Sequence, residues 1–208
     1  MAVGRFDDLA AAILRAPARL GAVRAVAVDG PTGAGKTTFA ERLAESVSAA
    51  GARVSVVHTD DLLDGWQDQF GFWPRLEAGV LAPMRAGRPG RHPVYDWVRG
   101  RFDGTREVPV PDVLIVEGST TTRAEMRPEL SLSVFVCAPA DLRVNRVLSR
   151  DGAAVREPLL RWMDAETAYL VAHGSHDWVD ALIDGASKLG HDPRSEFIRL
   201  PRPGDDDD

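Results

Sequence analysis

Short apolar runs rich in β-branched residues recur along the chain, separated by segments of helical period or by turn residues. Val23-Arg-Ala-Val-Ala-Val28, Arg53-Val-Ser-Val-Val-His58, Val113-Leu-Ile-Val-Glu117, Leu132-Ser-Val-Phe-Val-Cys137 and Val179-Asp-Ala-Leu-Ile-Asp184 predict five buried strands, with Glu196–Leu200 as a weaker edge element. Their nearly continuous apolar character points to a parallel sheet covered on both faces. Between them, Leu9, Ile13 and Leu14 mark a helix over Phe6–Leu20, punctuated by Pro17 and Gly21. Further helices are predicted from Thr38 and over Trp73–Arg85, Pro139–Arg150 and Glu157–Ala172. The segment from Pro83 to Pro111 is rich in Pro, Gly and Arg and has little periodicity, which in a compact domain usually signals a working part. The pattern predicts one α/β domain over residues 1–208, a three-layer sandwich with a mostly parallel five-stranded sheet between helices.

The turn after the first run changes the picture. Gly30-Pro31-Thr32-Gly33-Ala34-Gly35-Lys36-Thr37 satisfies the phosphate-binding pattern G-x-x-x-x-G-K-[ST] between a strand and a helix. Glycines let the backbone turn its N–H groups onto an anion. Lys36 supplies an ammonium for the β- and γ-phosphates, and Thr37 a hydroxyl for a phosphate-bound magnesium. The helix starting near Thr38 aims its free N–H groups at the same charge. Lys36 is one of only two lysines, with Lys188, in a chain whose other basic positions are arginine. The expectation is a P-loop domain that binds ATP with Mg²⁺.

Three further clusters bear on what such a loop would serve. His58-Thr-Asp60-Asp61 closes the second strand, where ligands of open α/β sheets gather; a carboxylate there can take a hydroxyl's proton, help hold magnesium, or simply cap a turn. Glu117-Gly118 closes the third strand, where a nucleotide enzyme places a magnesium-organising acid. Arg143 and Arg146 share one helix face, with Arg150-Asp151 one turn on, so guanidinium forks could close over phosphate charge or form a solvated face. Trp66, Trp73 and Trp97 flank the expected acceptor side and offer faces for stacking, whereas Trp162 and Trp178 read as packing residues.

From Val23 to Asp184 these motifs resemble the uridine kinase and phosphoribulokinase group of P-loop kinases. The resemblance implies Asp60 as the acceptor-activating base and Pro93-Val94-Tyr95-Asp96-Trp97 as lining the acceptor pocket; Asp61 and Trp66 are further candidates beside the acceptor. It implies Thr37 and Glu117 as magnesium ligands. Catalytic roles fall to Asp60, Lys36, Arg146 and Arg150; Gly30 to Thr38 and Arg143 would bind ATP, and a small Arg-bearing lid would span residues 143–161. The expected reaction is transfer of the γ-phosphoryl group to a hydroxyl of a small molecule, a nucleoside first. Departures are specific: Gly100 stands where uridine–cytidine kinases carry a base-reading His, Leu62 and Leu63 replace aromatics, and the Arg-Gly-Arg after the lid helix is missing. A pantothenate-like or sugar-phosphate acceptor, or a nucleotide-dependent regulatory ATPase, therefore stays open. Shortened chains with Asp-Asp-Leu, Tyr-Asp-Trp and Val-Glu-Gly segments resemble a group described as uridine-kinase-like ATP-binding proteins.

Composition adds exclusions. A net charge of −6 argues against general nucleic-acid binding, and no apolar run is long enough to span a bilayer. The N-terminus lacks an export pattern, and the single cysteine, Cys137, reads as a core thiol in a reducing compartment; both favour a cytoplasmic location. A homo-oligomer is left open, and the acid-rich end at 202–208 is expected to be disordered.

Overall fold

All five apolar runs fold into adjacent parallel strands of one sheet, but that sheet has seven strands rather than five. In the computed structural model, which describes residues 1–202, the elements are β1 (Ala2–Arg5), α1 (Phe6–Arg15), β2 (Arg24–Asp29), α2 (Lys36–Ala49), β3 (Val54–His58), α3 (Phe72–Leu76), α4 (Ala82–Arg85), β4 (Gly90–Asp96), β5 (Arg101–Val108), β6 (Val113–Glu117), β7 (Leu130–Cys137), α5 (Ala140–Asp151), α6 (Arg156–His173), β8 (Ala181–Asp184) and β9 (Glu196–Leu200). The order across the sheet is β1-β9-β8-β7-β2-β6-β3. Strands β8 to β3 in that order are parallel, and β9 and β1 extend the sheet antiparallel. The acidic end expected to be disordered lies, from Pro203 onward, outside the described residues.

Alternation along the central strands sorts the two cores. Val26 and Val28 of β2 and Ile115 of β6 face Phe6 and Ile13 of α1 and Phe39, Leu43 and Val47 of α2. On the opposite face, Ala25, Ala27, Leu114 and Val116 pack against Leu62, Phe72, Leu76, Leu81, Met84 and Trp162. Because β6 is buried along its whole length, its apolar run is continuous. Helix α1 stops at Arg15 rather than Leu20, since Ala16 precedes Pro17 and adopts the extended conformation that proline imposes on its neighbour. The helix expected over 73–85 starts at Phe72 and passes through a π-helical turn, Glu77–Leu81, between α3 and α4.

The aperiodic stretch is an antiparallel hairpin, β4–β5, forming its own two-stranded sheet. Nearly every residue of β5 is exposed, so no apolar alternation announced it. Register fixes where chemistry can occur: Val28 of β2 and His58 of β3 both pair with Glu117 of β6. Three strand ends therefore finish level, and the turns leaving them share one mouth.

Gly30, the first residue after β2, has φ +136°, and a Cβ there would lie 2.2 Å from the Val136 carbonyl oxygen. Gly30→Ala must distort backbone on both sides. It is expected to cost at least ~1–3 kcal/mol, read as a lower midpoint in denaturant unfolding.

Candidate active site

The phosphate loop leaves β2 at Asp29, and this buried acid, not singled out from sequence, anchors it. Asp29 Oδ1 accepts from the N–H groups of Gly30 (2.6 Å) and Thr120 (2.7 Å); Oδ2 accepts from the Thr122 N–H (2.9 Å) and hydroxyl. Burial pushes its pKa up, against the lowering pull of the Thr122 and Gly30 hydrogen bonds. One carboxylate thus ties the loop's start to the Ser119–Thr122 segment after β6. Gly33 lets the loop sit against α5, since a Cβ there would come within 2.7 Å of the Arg143 carbonyl oxygen.

Lys36 is buried, and its Nζ donates to the Pro31 carbonyl (3.2 Å) and the Ser119 hydroxyl (3.4 Å). Thr37 Oγ1 lies 3.1 Å from Glu117 Oε1, the pair expected to hold magnesium. A hydroxyl and a carboxylate form a hard oxygen set that fits Mg²⁺, which uses few protein ligands and completes its shell with phosphate and water. The described residues contain no cluster of three or more His, Cys, Asp or Glu suited to a metal. His58 Nδ1 also meets Glu117 Oε1 at 2.6 Å, and this hydrogen bond raises the His58 pKa.

Asp60 stands opposite, in the 3-10 turn after β3. Thr32, Gly33, Gly35, Lys36, Thr37, Thr38, Asp60, Glu117, Arg146 and Arg150 line one cavity of about 190 Å³. The Asp60 side chain stays open to solvent through the cavity mouth while protein walls surround it. That enclosure, then the Glu117 charge, raises its pKa; Lys36, Arg150 and His58 pull the other way.

The three arginines of α5 occupy different positions. Arg143 is buried and holds the carbonyls of Ala138 (3.1 Å) and Thr32 (3.3 Å). Arg146 caps Gly33, Ala34 and Gly185 carbonyls at 3.2, 3.3 and 2.8 Å. Only Arg150 is exposed; it pairs with Asp151 at 2.7 Å and lies within electrostatic reach of Asp60 and Glu117. Region 143–161, expected as a lid, comprises most of α5, a 3-10 turn and the start of α6, with its first two arginines clamped onto the loop. A second groove of about 490 Å³ shares Gly35, Thr38 and Arg146 with the cavity and continues past Phe39, Arg42 and Gly185 to His191. Cavity and groove together follow the N-terminus of α2.

Where an acceptor was expected, aromatic rings meet edge to face: Tyr95 with Trp97 (5.1 Å between centroids), Trp97 with Trp66 (5.6 Å) and Trp66 with Trp162 (5.8 Å). Trp97 Nε1 donates to the Asp60 carbonyl at 3.2 Å, so the hairpin reaches the strand-end acid directly. Asp61 pairs with Arg106 of β5 at 2.9 Å. Asp96 accepts the N–H groups of Val98 (2.9 Å) and Arg99 (2.8 Å), which makes it a turn former at the hairpin tip. Trp73 lies under Arg123, outside the aromatic chain. Leu62 and Leu63 are core residues.

Sequence reading also missed Glu166 and underrated Trp162. Both reach the phosphate loop from α6, where Trp162 Nε1 donates to Thr32 Oγ1 at 2.9 Å. A signal was present: Leu159, Trp162, Met163, Glu166 and Leu170 form the buried stripe of α6, with an acid at an apolar position.

Sheet order and loop define a P-loop NTPase fold. No family model matches the chain, and no curated protein matches it. Among solved structures it is similar to one described as a possible uridine kinase from Bacillus stearothermophilus, at 22% identity and a TM-score of 0.64, over 85% of this chain and 96% of that one. It is also similar to a candidate fructose transport system kinase from Silicibacter sp. TM1040, at 22% identity and a TM-score of 0.60, over 81% and 94%. The chain shares the P-loop fold of these two structures.

Because the folded-state pKa of Asp60 lies above its unfolded value, ionising it costs folding free energy as pH rises through that interval. Asp60→Asn is expected to melt higher than wild type at neutral pH. The gain should vanish below about pH 4, where the acid is protonated in both states. Thermal melts across pH check this; equal melting at neutral pH would contradict the environment assigned to Asp60.

Proposed function

We propose that this chain is an ATP-dependent phosphotransferase that moves the γ-phosphoryl group to a hydroxyl of a small molecule, with a nucleoside-like compound as acceptor. The supporting observation is one cavity in which Lys36 and the loop backbone face an open carboxylate, Asp60, whose own turn is held by the aromatic hairpin. A loop alone would serve any nucleotide-binding protein. A carboxylate across from it, with an aromatic wall alongside, serves transfer to an organic acceptor.

In this reading ATP and R–OH give ADP and R–O–phosphate. The acceptor oxygen attacks the γ-phosphorus, the bond to the β-phosphate oxygen breaks, and the hydroxyl proton passes to Asp60. Lys36 and the loop N–H groups hold the β- and γ-phosphates, and Arg150 faces the developing charge. Thr37 and Glu117 would hold magnesium, which when bound neutralises phosphate oxygens. The transition state is loose, so positioning and fixed charge contribute most.

Two observations bear on the acceptor. Three arginines in and beside the hairpin are engaged within the protein and so are not free for an acceptor phosphate: Arg85 by Glu77 and Glu129, Arg99 by Asp96 and Asp103, and Arg106 by Asp61. This favours an uncharged acceptor over a sugar phosphate. A groove of about 440 Å³ between the Trp66–Gly71 segment and α6 is lined by Trp66, Gln67, Phe70, Arg161 and Trp162, and its size and aromatic lining suit a nucleoside. Gly100 supplies no side chain to read a base, so selectivity among flat acceptors should be broad.

An ADP-release panel of nucleosides, pantothenate and sugar phosphates tests the assignment. Acceptor-dependent turnover is expected with at least one nucleoside; slow hydrolysis indifferent to every acceptor would replace the kinase reading with a regulatory ATPase. Lys36→Ala and Asp60→Asn should each lower turnover by about 10²-fold or more, with ATP binding nearly intact in Asp60→Asn. Parallel loss of binding and turnover in Asp60→Asn would remove it as the base.

A further inference from the structure

Glu166 sits midway along α6 with no exposed surface, and its carboxylate meets the phosphate loop from behind. Both its oxygens lie 2.9 Å from the Thr32 nitrogen; Oε1 also accepts from the Thr32 hydroxyl at 2.9 Å and the Ser119 hydroxyl at 2.6 Å. The Arg143 guanidinium stands 3.6 Å away. A buried carboxylate persists only where donors satisfy it. Here the hydrogen-bond donors come from the two segments that enclose Lys36.

Their arrangement carries a second consequence. In a trans peptide the N–H and C=O groups point in opposite directions. With the Thr32 N–H turned toward Glu166, the Pro31 carbonyl of the same peptide is turned toward Lys36, whose Nζ it accepts at 3.2 Å. The Ser119 hydroxyl has one proton to give. Of its two acceptors, Glu166 at 2.6 Å and the Gly30 carbonyl at 3.3 Å, the nearer and charged one takes the proton, which leaves a lone pair for the Lys36 ammonium at 3.4 Å. Both acceptors that hold Lys36 are thus linked to Glu166, and the Pro31 carbonyl also accepts the Ala34 N–H at 3.1 Å within the loop. Trp162, one turn earlier on α6, fixes the Thr32 hydroxyl from the same helix.

We propose that Glu166 is a positioning residue that sets the Lys36 ammonium through the Pro31–Thr32 peptide and the Ser119 hydroxyl, and so governs recognition of the γ-phosphate. It touches no reacting atom. The inference rests on the phosphotransferase reading of the same cavity.

The measurement is calorimetric titration of the full chain with MgATP and, separately, MgADP, accompanied by thermal melts. Glu166→Gln keeps the size but cannot accept on both sides. It is expected to weaken MgATP binding about tenfold while MgADP changes less than about threefold, with a cooperative melt retained. Ser119→Ala removes one relay and leaves the Thr32 contacts; it should shift the MgATP-to-MgADP ratio in the same direction by less. An unchanged ratio in Glu166→Gln, or equal loss of both ligands with a lowered melt, would reduce Glu166 to a structural role and overturn the proposal. Should Glu166→Gln fail to fold, an unchanged ratio in Ser119→Ala overturns it and a reduced one supports it. Wild type binding neither nucleotide would instead overturn the phosphotransferase reading, and Glu166's role with it; wild type discriminating MgATP from MgADP while both variants match it refutes only the Glu166 role.

Discussion

The Asp29 carboxylate joins the two turns on which the rest of the site depends. Parallel strands β2 and β6 end side by side, and without a tie the turns leaving them would be free to part. Asp29 gathers N–H groups from both, at Gly30 on one side and at Thr120 and Thr122 on the other. The tie is costly, since burial raises the pKa of the very group that must accept those bonds. Thr120, one of its donors, has a positive φ of 66°, a conformation a β-branched residue resists. Local strain at such a place is tolerated because the surrounding bonds over-determine it.

From that joint the cavity is built outward by charge. Lys36 lies between the two turns, Glu117 holds Thr37 and His58, and Asp60 faces them across the opening. Helices α5 and α6 supply the back wall, with Arg143 and Arg146 on loop carbonyls and Glu166 on a loop N–H. Donors and acceptors alternate, so the loop is gripped on both polarities of its backbone. Catalysis that relies on position needs such a frame.

How much of this was readable from the chain follows from the range of each interaction. The loop from Gly30 to Thr37, the strand-end acids Asp60 and Glu117 and the five parallel strands are local patterns, and each lies where the spacing said. The seventh strand was not readable: Ala2–Arg5 is short and largely exposed, and pairs only because β9 returns to its side. The hairpin escaped because β5 has no buried face to impose a period. Asp96, read as an acceptor ligand, also caps the turn it sits in, which the motif alone did not announce. Asp29 and Glu166 were hidden for another reason. Their partners are 91 and 134 residues away, at Thr120 and Thr32, and no local spacing encodes such a meeting.

The aromatic chain at the mouth has a spectroscopic side. Trp66, Trp97 and Trp162 are in edge-to-face contact, and two of their indole N–H groups are hydrogen-bonded at the cavity wall, to Asp60 and Thr32. The other two indoles, Trp73 and Trp178, each lie against a guanidinium, of Arg123 and Arg127, outside that chain. The protein's five indoles therefore divide between a contacting triad, two of whose N–H groups are bonded to residues of the cavity, and a pair set against arginines elsewhere, so its ultraviolet emission has two physically separate sources.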